Sequence, residues 1–306
     1  MNNQLKLSVS PHIHSGKSTR SIMLDVLVAL LPVTAAGAII FGIRSLLVVA
    51  VTVAACVGFE ALFNLVVKKP LPVGDFSAAV TGLLLALNLP ANVPLWQCVV
   101  GALFAIVVVK GLFGGLGANP VNPAITARVF MLVSFASLTK AAFPVDSVSS
   151  ATPLAAEEAT PFVDLFFGNH GGAIGETCAI ALLVGGVYLL VRRVITWHLP
   201  VTFIGTVFFA TFFMEGMNSA AAWAAIMSGG LLIGAIFMAT DYVTSPATPW
   251  GKIIFGLGAG LITFLIRYFG NYPEGVSFAI LFMNILTPYI TVWTRRKVFG
   301  MGGGKA

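Results

Sequence analysis

Polar positions along this chain are few and widely spaced, and between them lie stretches that are almost wholly apolar. These stretches occupy 22–41, 46–67, 76–89, 95–109, 124–138, 174–191, 201–213, 220–238, 253–266 and 276–292. A run of about 20 apolar residues, wound as a helix, crosses about 30 Å of hydrocarbon. The first two runs predict full spans, and several later ones are short. The pattern predicts an all-α polytopic membrane protein with about ten transmembrane helices. One long polar interruption, 143–172, divides it. Loops beyond about 12–15 residues are uncommon unless they are functional or disordered, so this segment is the first place to look for chemistry.

The pattern divides the chain into a short polar head (1–21), a first five-helix half (22–142), the polar loop (143–172), a second five-helix half (173–294) and a basic tail (295–306). An odd number of spans in each half makes the halves enter the membrane in opposite senses, which predicts an inverted repeat. A weak internal echo between 94–128 and 249–283 supports it: a Gly- and Phe-rich turn precedes a span in both.

Composition strengthens the membrane reading. Hydrophobic residues form 58 % of the chain and charged residues 9 %, against roughly 25 % charged in soluble domains. The net charge of +6 does not point to nucleic acid, because the basic residues are scattered between apolar runs without a basic face. They fit membrane orientation. With the N-terminus inside, the cytoplasmic segments collect Lys6, Lys17, Arg20, Lys68, Lys69, Lys110, Arg192, Arg193, Lys252, Arg295, Arg296, Lys297 and Lys305. Arg44, Lys140 and Arg267 fall on the other side, a strong positive-inside bias. Both termini are then cytoplasmic and the 143–172 loop faces outward. Cys56, Cys98 and Cys178 are too far apart to form a metal or cluster motif. His12, His14, His170 and His198 offer no ligand pattern across a span, so neither a metal nor a haem is expected.

Interruptions in the helices carry the next clue. In hydrocarbon, free backbone amides are tolerated only inside protein or a wet cavity, so broken helices mark ion or cofactor sites. The segment 114–124, containing Asn119-Pro120-Val121-Asn122-Pro123, reads as a flexible turn entering a helix with an Asn cap. Asp75, ahead of the short 76–89 run, and Asp241, in the polar stretch after Met238, occupy comparable places in the two halves. They predict half-helices facing one another near the midplane. Arg128 lies about a turn inside its helix, where it either snorkels or meets a phosphate or a carboxylate such as Asp75 or Asp241. Asp25 and Glu60 lie inside or near span ends, placed to pair or to line a path. No chain of proton-carrying carboxylates is visible, so the ion route is expected to be shared with other chains.

Within the outer loop, Asp146-Ser147-Val148-Ser149-Ser150-Ala151-Thr152 resembles the flavinylation sequence D-x-x-[ST]-[GS]-A-T. The resemblance runs along nearly the whole chain, through Ser10-Pro11-His12-Ile13-His14-Ser15, Asn119-Pro120-Val121-Asn122-Pro123-Ala124 and Met238-Ala239-Thr240-Asp241-Tyr242-Val243-Thr244-Ser245-Pro246. The family it resembles is the D subunit of the Rnf electron-transport complex, related to the B subunit of the sodium-pumping NADH:quinone reductase. Ser150 stands where many relatives have Gly. The resemblance implies that Thr152 carries FMN through a phosphoester made by a separate flavin transferase, and that Asp146, Ser149, Ser150 and Ala151 form the recognition sequence. It also implies a complex of the bacterial cytoplasmic membrane that couples ferredoxin oxidation and NAD⁺ reduction to Na⁺ or H⁺ translocation. The implied partners are membrane subunits, iron–sulfur subunits and a subunit with a second covalent FMN; a non-covalent flavin such as riboflavin is implied near the cytoplasmic side. The chemistry of the loop agrees: a phosphodiester fixes a flavin without altering its ring, small neighbours leave room for a modifying enzyme, and Pro153 stops the segment continuing as helix. The competing reading is a secondary transporter or channel with an inverted-repeat fold and no flavin.

Overall fold

A computed structural model describes residues 18–69, 73–135, 138, 142–144, 161–270 and 275–295. Among these residues the protein is helical, with one isolated bridge between Ala142 and Gly172. The chain begins with α1 (Thr19–Phe41), capped by the Ser18 hydroxyl, which accepts the Ser21 N–H at 3.2 Å. It turns at Gly42 into α2 (Ile43–Val67). Then come α3 (Ser77–Leu87), α4 (Leu95–Gly111), whose second half is wound as a π-helix, and α5 (Pro123–Ser134). A short α6 (Phe162–Phe167) lies between the halves. The second half contains α7 (Ala179–Val191), α8 (His198–Met214), α9 (Ser219–Met227), α10 (Leu231–Met238), α11 (Pro249–Phe269) and α12 (Val276–Thr294).

Among the described residues only α1, α2, α11 and α12 are both long and apolar enough to cross a membrane alone, and the α9–α10 pair makes a fifth candidate, bent by 67° at its break. The run 220–238, continuous by hydropathy, is therefore interrupted at Ser228-Gly229-Gly230. At 1.5 Å per residue α3 is about 16 Å long and α5 about 18 Å, roughly half the hydrocarbon thickness. The extended chain beyond them must find partners for its backbone groups, and it does. Arg44 of α2 donates from Nε to the Ala91 carbonyl at 3.1 Å, and the Ile174 N–H donates to the Leu89 carbonyl at 3.0 Å. Ala142 and Gly172 exchange both backbone hydrogen bonds, at 3.3 and 2.9 Å.

The core is a single apolar cluster between the halves, and contacts fix the relative directions of the helices. The α1 and α7 helices run antiparallel: Gly37 faces Ile174, and Asp25 pairs with Arg192 at 3.1 Å. The α2 and α4 helices run parallel, with Glu60 beside Lys110 and Phe63 beside Gly111. The α8 and α11 helices are also parallel, because Gly256 meets Leu199 and Gly260 meets Phe203. Small residues four apart let membrane helices approach closely without any hydrophobic drive between them. A Cβ added at Gly260 would lie 2.6 Å from the Thr206 Cβ and 3.0 Å from the Phe203 carbonyl oxygen. Gly260→Leu is therefore expected to force α8 and α11 apart at a cost of about 1–3 kcal/mol or more. A lowered Tm in detergent checks this, and an unchanged Tm contradicts it.

Candidate functional site

The interrupted helices bring their ends together inside the protein. Asp75 precedes α3 and turns back on it: its Oδ1 accepts the Ser77 N–H at 2.8 Å and the Ser77 hydroxyl at 2.7 Å. Phe76, between them, has φ 62°, a left-handed conformation uncommon for an aromatic residue. The Lys110 ammonium, from the far end of α4, donates to Ser77 Oγ and to Glu60 Oε1, both at 2.6 Å. Lys110 and Glu60 are almost fully buried, so each charge depends on the other far more than in a surface pair, where water screens both.

At its other end α3 finishes at Asn88, whose Nδ2 donates to the Leu84 carbonyl at 2.7 Å and contacts the Met238 sulfur at 3.4 Å. Arg128, in the second turn of α5, donates from Nη1 to Asn88 Oδ1 and, at 2.6 Å, to Glu176 Oε1. Arg128 and Glu176 are also buried. Next to them the α5 N-terminus meets the α10 C-terminus. Asn122 caps α5 by accepting the Ala124 and Ile125 N–H groups, and donates from Nδ2 to the Met238 carbonyl at 3.1 Å. The Asn284 amide of α12 closes the ring when its oxygen accepts the Asn122 N–H at 3.1 Å and its nitrogen donates to the Thr244 carbonyl at 3.2 Å.

Two open crevices flank this polar ring. One has apolar walls from α1, α3 and α7. Its polar lining comes from Ser77, Lys110, Asn119, Asn122, Thr240 and Asp241. The second is lined by Glu60, Asn64, Lys69, Asp75 and Lys110. Lys110 belongs to both. In the segment leading to α7, burial holds the His170 imidazole below the ordinary histidine pKa, and its Nδ1 lies 3.1 Å from the Gly171 carbonyl oxygen.

The predicted residues are partly gathered here. Asn122 is the helix cap, and Asn119 holds the turn before it by donating to the Val121 carbonyl at 3.0 Å. Asp75 and Asp241 flank interrupted helices as expected, but they line different crevices, and Asp241 accepts a hydrogen bond from the Thr244 hydroxyl at 3.0 Å. Arg128 neither snorkels nor meets either aspartate: its carboxylate partner is Glu176. Asp146, Ser149, Ser150, Ala151 and Thr152 lie outside the described residues. Sequence reasoning missed Glu176, Asn88, Ser77 and Asn284, and counted Lys110 only as a boundary charge. The usable signal was that Glu60 lies inside an apolar run and Lys110 directly at the end of one, where ionisable residues in a membrane normally have partners.

Residues 6–300 match the model of the NQR2, RnfD, RnfE family. The chain is 46 % identical over 313 residues to the D subunit of the Na⁺-translocating ferredoxin:NAD⁺ oxidoreductase complex of Acetobacterium woodii, covering 98 % of this chain and 97 % of that one. It is 39 % identical over 320 residues to the D subunit of the proton-translocating ferredoxin:NAD⁺ oxidoreductase complex of Clostridium ljungdahlii, covering 97 % of each. It is also 36 % identical over 351 residues to the D subunit of the ion-translocating oxidoreductase complex of Haemophilus influenzae, covering 96 % of this chain and 98 % of the relative.

Proposed function

The chain belongs to the NQR2, RnfD, RnfE family, and from that membership we propose that it is the D subunit of an Rnf-type complex of the bacterial cytoplasmic membrane. In this reading it carries FMN covalently at Thr152 and relays electrons while ferredoxin:NAD⁺ electron transfer drives Na⁺ or H⁺ across the membrane. The observation that carries the reading is near full-length similarity to the D subunits of named ferredoxin:NAD⁺ oxidoreductase complexes, joined to the sequence Asp146 to Thr152. The relatives' names differ in the ion moved, so the coupling ion is left as Na⁺ or H⁺.

The residues present fit the cofactor in the chemistry they offer. Thr152 supplies a hydroxyl for a phosphoester, among the small residues Ser149, Ser150 and Ala151. Ala142 and Gly172 are hydrogen-bonded to each other, so the segment bearing Thr152 starts and returns at one place on the bundle. Bound flavin would supply reversible electron transfer, and the chain would supply the hydroxyl that tethers it. The crevice that Asn119, Asn122 and Thr240 line has apolar walls from α1, α3 and α7, with Lys110 and Asp241 among its polar groups. It is the place we assign to a non-covalent flavin such as riboflavin. Ten membrane passes in two inverted halves follow if α3, α5 and α7 are each completed by extended chain. The parallel pairs α2/α4 and α8/α11 support that repeat, since each joins the second and fourth pass of its half. Expected partners are the other membrane subunits, the iron–sulfur subunits, the second FMN-bearing subunit and, during maturation, a flavin transferase.

Interrupted helices in opposed halves also suit a secondary transporter, and flavin separates the two readings. The denatured band of the chain, made in cells that contain the flavin transferase, is expected to fluoresce under UV light. A dark band from those cells favours the transporter. For the ion route, Asp75→Asn with Asp241→Asn is expected to depress electron-driven ion uptake into vesicles. Unchanged uptake in that double variant removes both carboxylates from the path.

A further inference from the structure

We infer that the buried Arg128–Glu176 pair is a positioning element that holds the outer segment 172–178 in register with the interrupted helices, and so sets how many ions move per electron. The inference rests on the proposed electron-driven ion transport. The contacts behind it are independent of the flavin motif.

Four parts of the chain meet at this pair. Arg128 comes from α5, Asn88 ends α3, Glu176 belongs to the segment entering α7, and Gly230 opens α10. The fit at Gly230 is close: an added Cβ would stand 2.7 Å from Glu176 Oε1 and 3.5 Å from Arg128 Nη1. The same outer segment completes the hydrogen-bond ladder of α3. The Gly175 N–H donates to the Leu87 carbonyl at 2.7 Å, and the Ile174 N–H to that of Leu89 at 3.0 Å. The end of a half-helix inside the membrane is thus finished by chain arriving from the loop side.

The charges also match the helix ends. A guanidinium sits at the C-terminal end of α3 and a carboxylate at the N-terminal end of α10, each opposite the favourable pole of the helix dipole. Across the break Arg267 donates from Nη1 to the Ala225 carbonyl at 2.6 Å and from Nη2 to that of Ser228 at 3.1 Å, capping α9. Stability alone does not require such a pair, because apolar residues of similar volume often replace buried ion pairs without loss. What an ion pair adds is a geometry specified by direction as well as by volume. A shift of segment 172–178 carries Glu176, the last α3 carbonyl bonds and the mouth of α10 with it.

The test uses the whole complex in proteoliposomes, with ferredoxin-driven NAD⁺ reduction and ion uptake recorded together. Arg128→Met with Glu176→Leu keeps the volume and removes both charges. Its electron-transfer rate is expected to stay near that of the parent while the number of ions taken up per electron falls by about half or more, on the order of the smallest loss such a paired recording resolves. Arg128→Lys keeps the charge but loses the fixed planar geometry of the guanidinium, and is expected to give an intermediate ratio. An unchanged ratio in the double variant overturns the inference, as does a proportional fall of both rates. If the double variant does not assemble, Arg128→Lys decides: a lowered ratio at normal electron transfer supports the positioning role, and a normal ratio overturns it. A parent complex that reduces NAD⁺ without taking up ions contradicts the proposed function itself, and this inference with it.

Discussion

Thr152→Ala is expected to yield a normally assembled subunit with no covalent flavin, and a complex that has lost electron flow through it. The phosphoester needs a hydroxyl at that position, and Ala removes the hydroxyl while leaving the small neighbours in place. Thr152 lies in the polar stretch between the two apolar halves. Thr152→Ser retains a hydroxyl and is expected to recover part of the modification. The neighbouring Ser149 and Ser150 are expected not to substitute for it, since they stand at other positions of the recognised sequence. UV fluorescence of the denatured band, read beside assembly of the complex and NAD⁺ reduction, checks all three statements. A fluorescent Thr152→Ala band places the attachment elsewhere.

The second large effect is structural. Lys110→Met leaves the Glu60 carboxylate buried between α2 and α4 without its cation, and breaks the contact to Ser77 at the start of α3. Removing one partner of a buried pair typically costs about 3–5 kcal/mol, whereas replacing both is often nearly neutral. The single variant is therefore expected to lose a large part of the parent's stability. Lys110→Met with Glu60→Gln is expected to regain most of it. Thermal unfolding in detergent measures both; a single variant as stable as the parent contradicts the assignment of this pair as buried and mutually dependent.

Much of the frame was legible because hydrocarbon imposes one simple demand. The apolar runs 22–41 and 46–67 became the spans α1 and α2, and the Asn-Pro sequence at 122–123 became a capped helix start. Asp75 and Asp241 were found beside interrupted helices because Asp is expensive in a span and therefore marks a break. Other features were not legible, for physical reasons. The break at Ser228-Gly229-Gly230 is made of residues that membrane helices also tolerate, so hydropathy runs straight across it. Glu176 sits near the start of an apolar run, and tertiary packing buries it. The Lys110–Glu60 and Arg128–Glu176 pairs join residues about fifty positions apart, and nothing local in the sequence specifies them. For Arg128 the sequence leaves snorkelling, a phosphate or a carboxylate such as Asp75 or Asp241 open. The short distance to segment 172–178 gave it Glu176 instead.

The central claim is that one hydroxyl of the polar loop holds the redox group. Mass measurement of the 143–172 peptide, cut from the mature complex of a host that contains the transferase, tests it most directly. The predicted result is a gain of one FMN less one water, with fragmentation assigning it to Thr152. A peptide of unmodified mass, or the same gain on another residue, contradicts it.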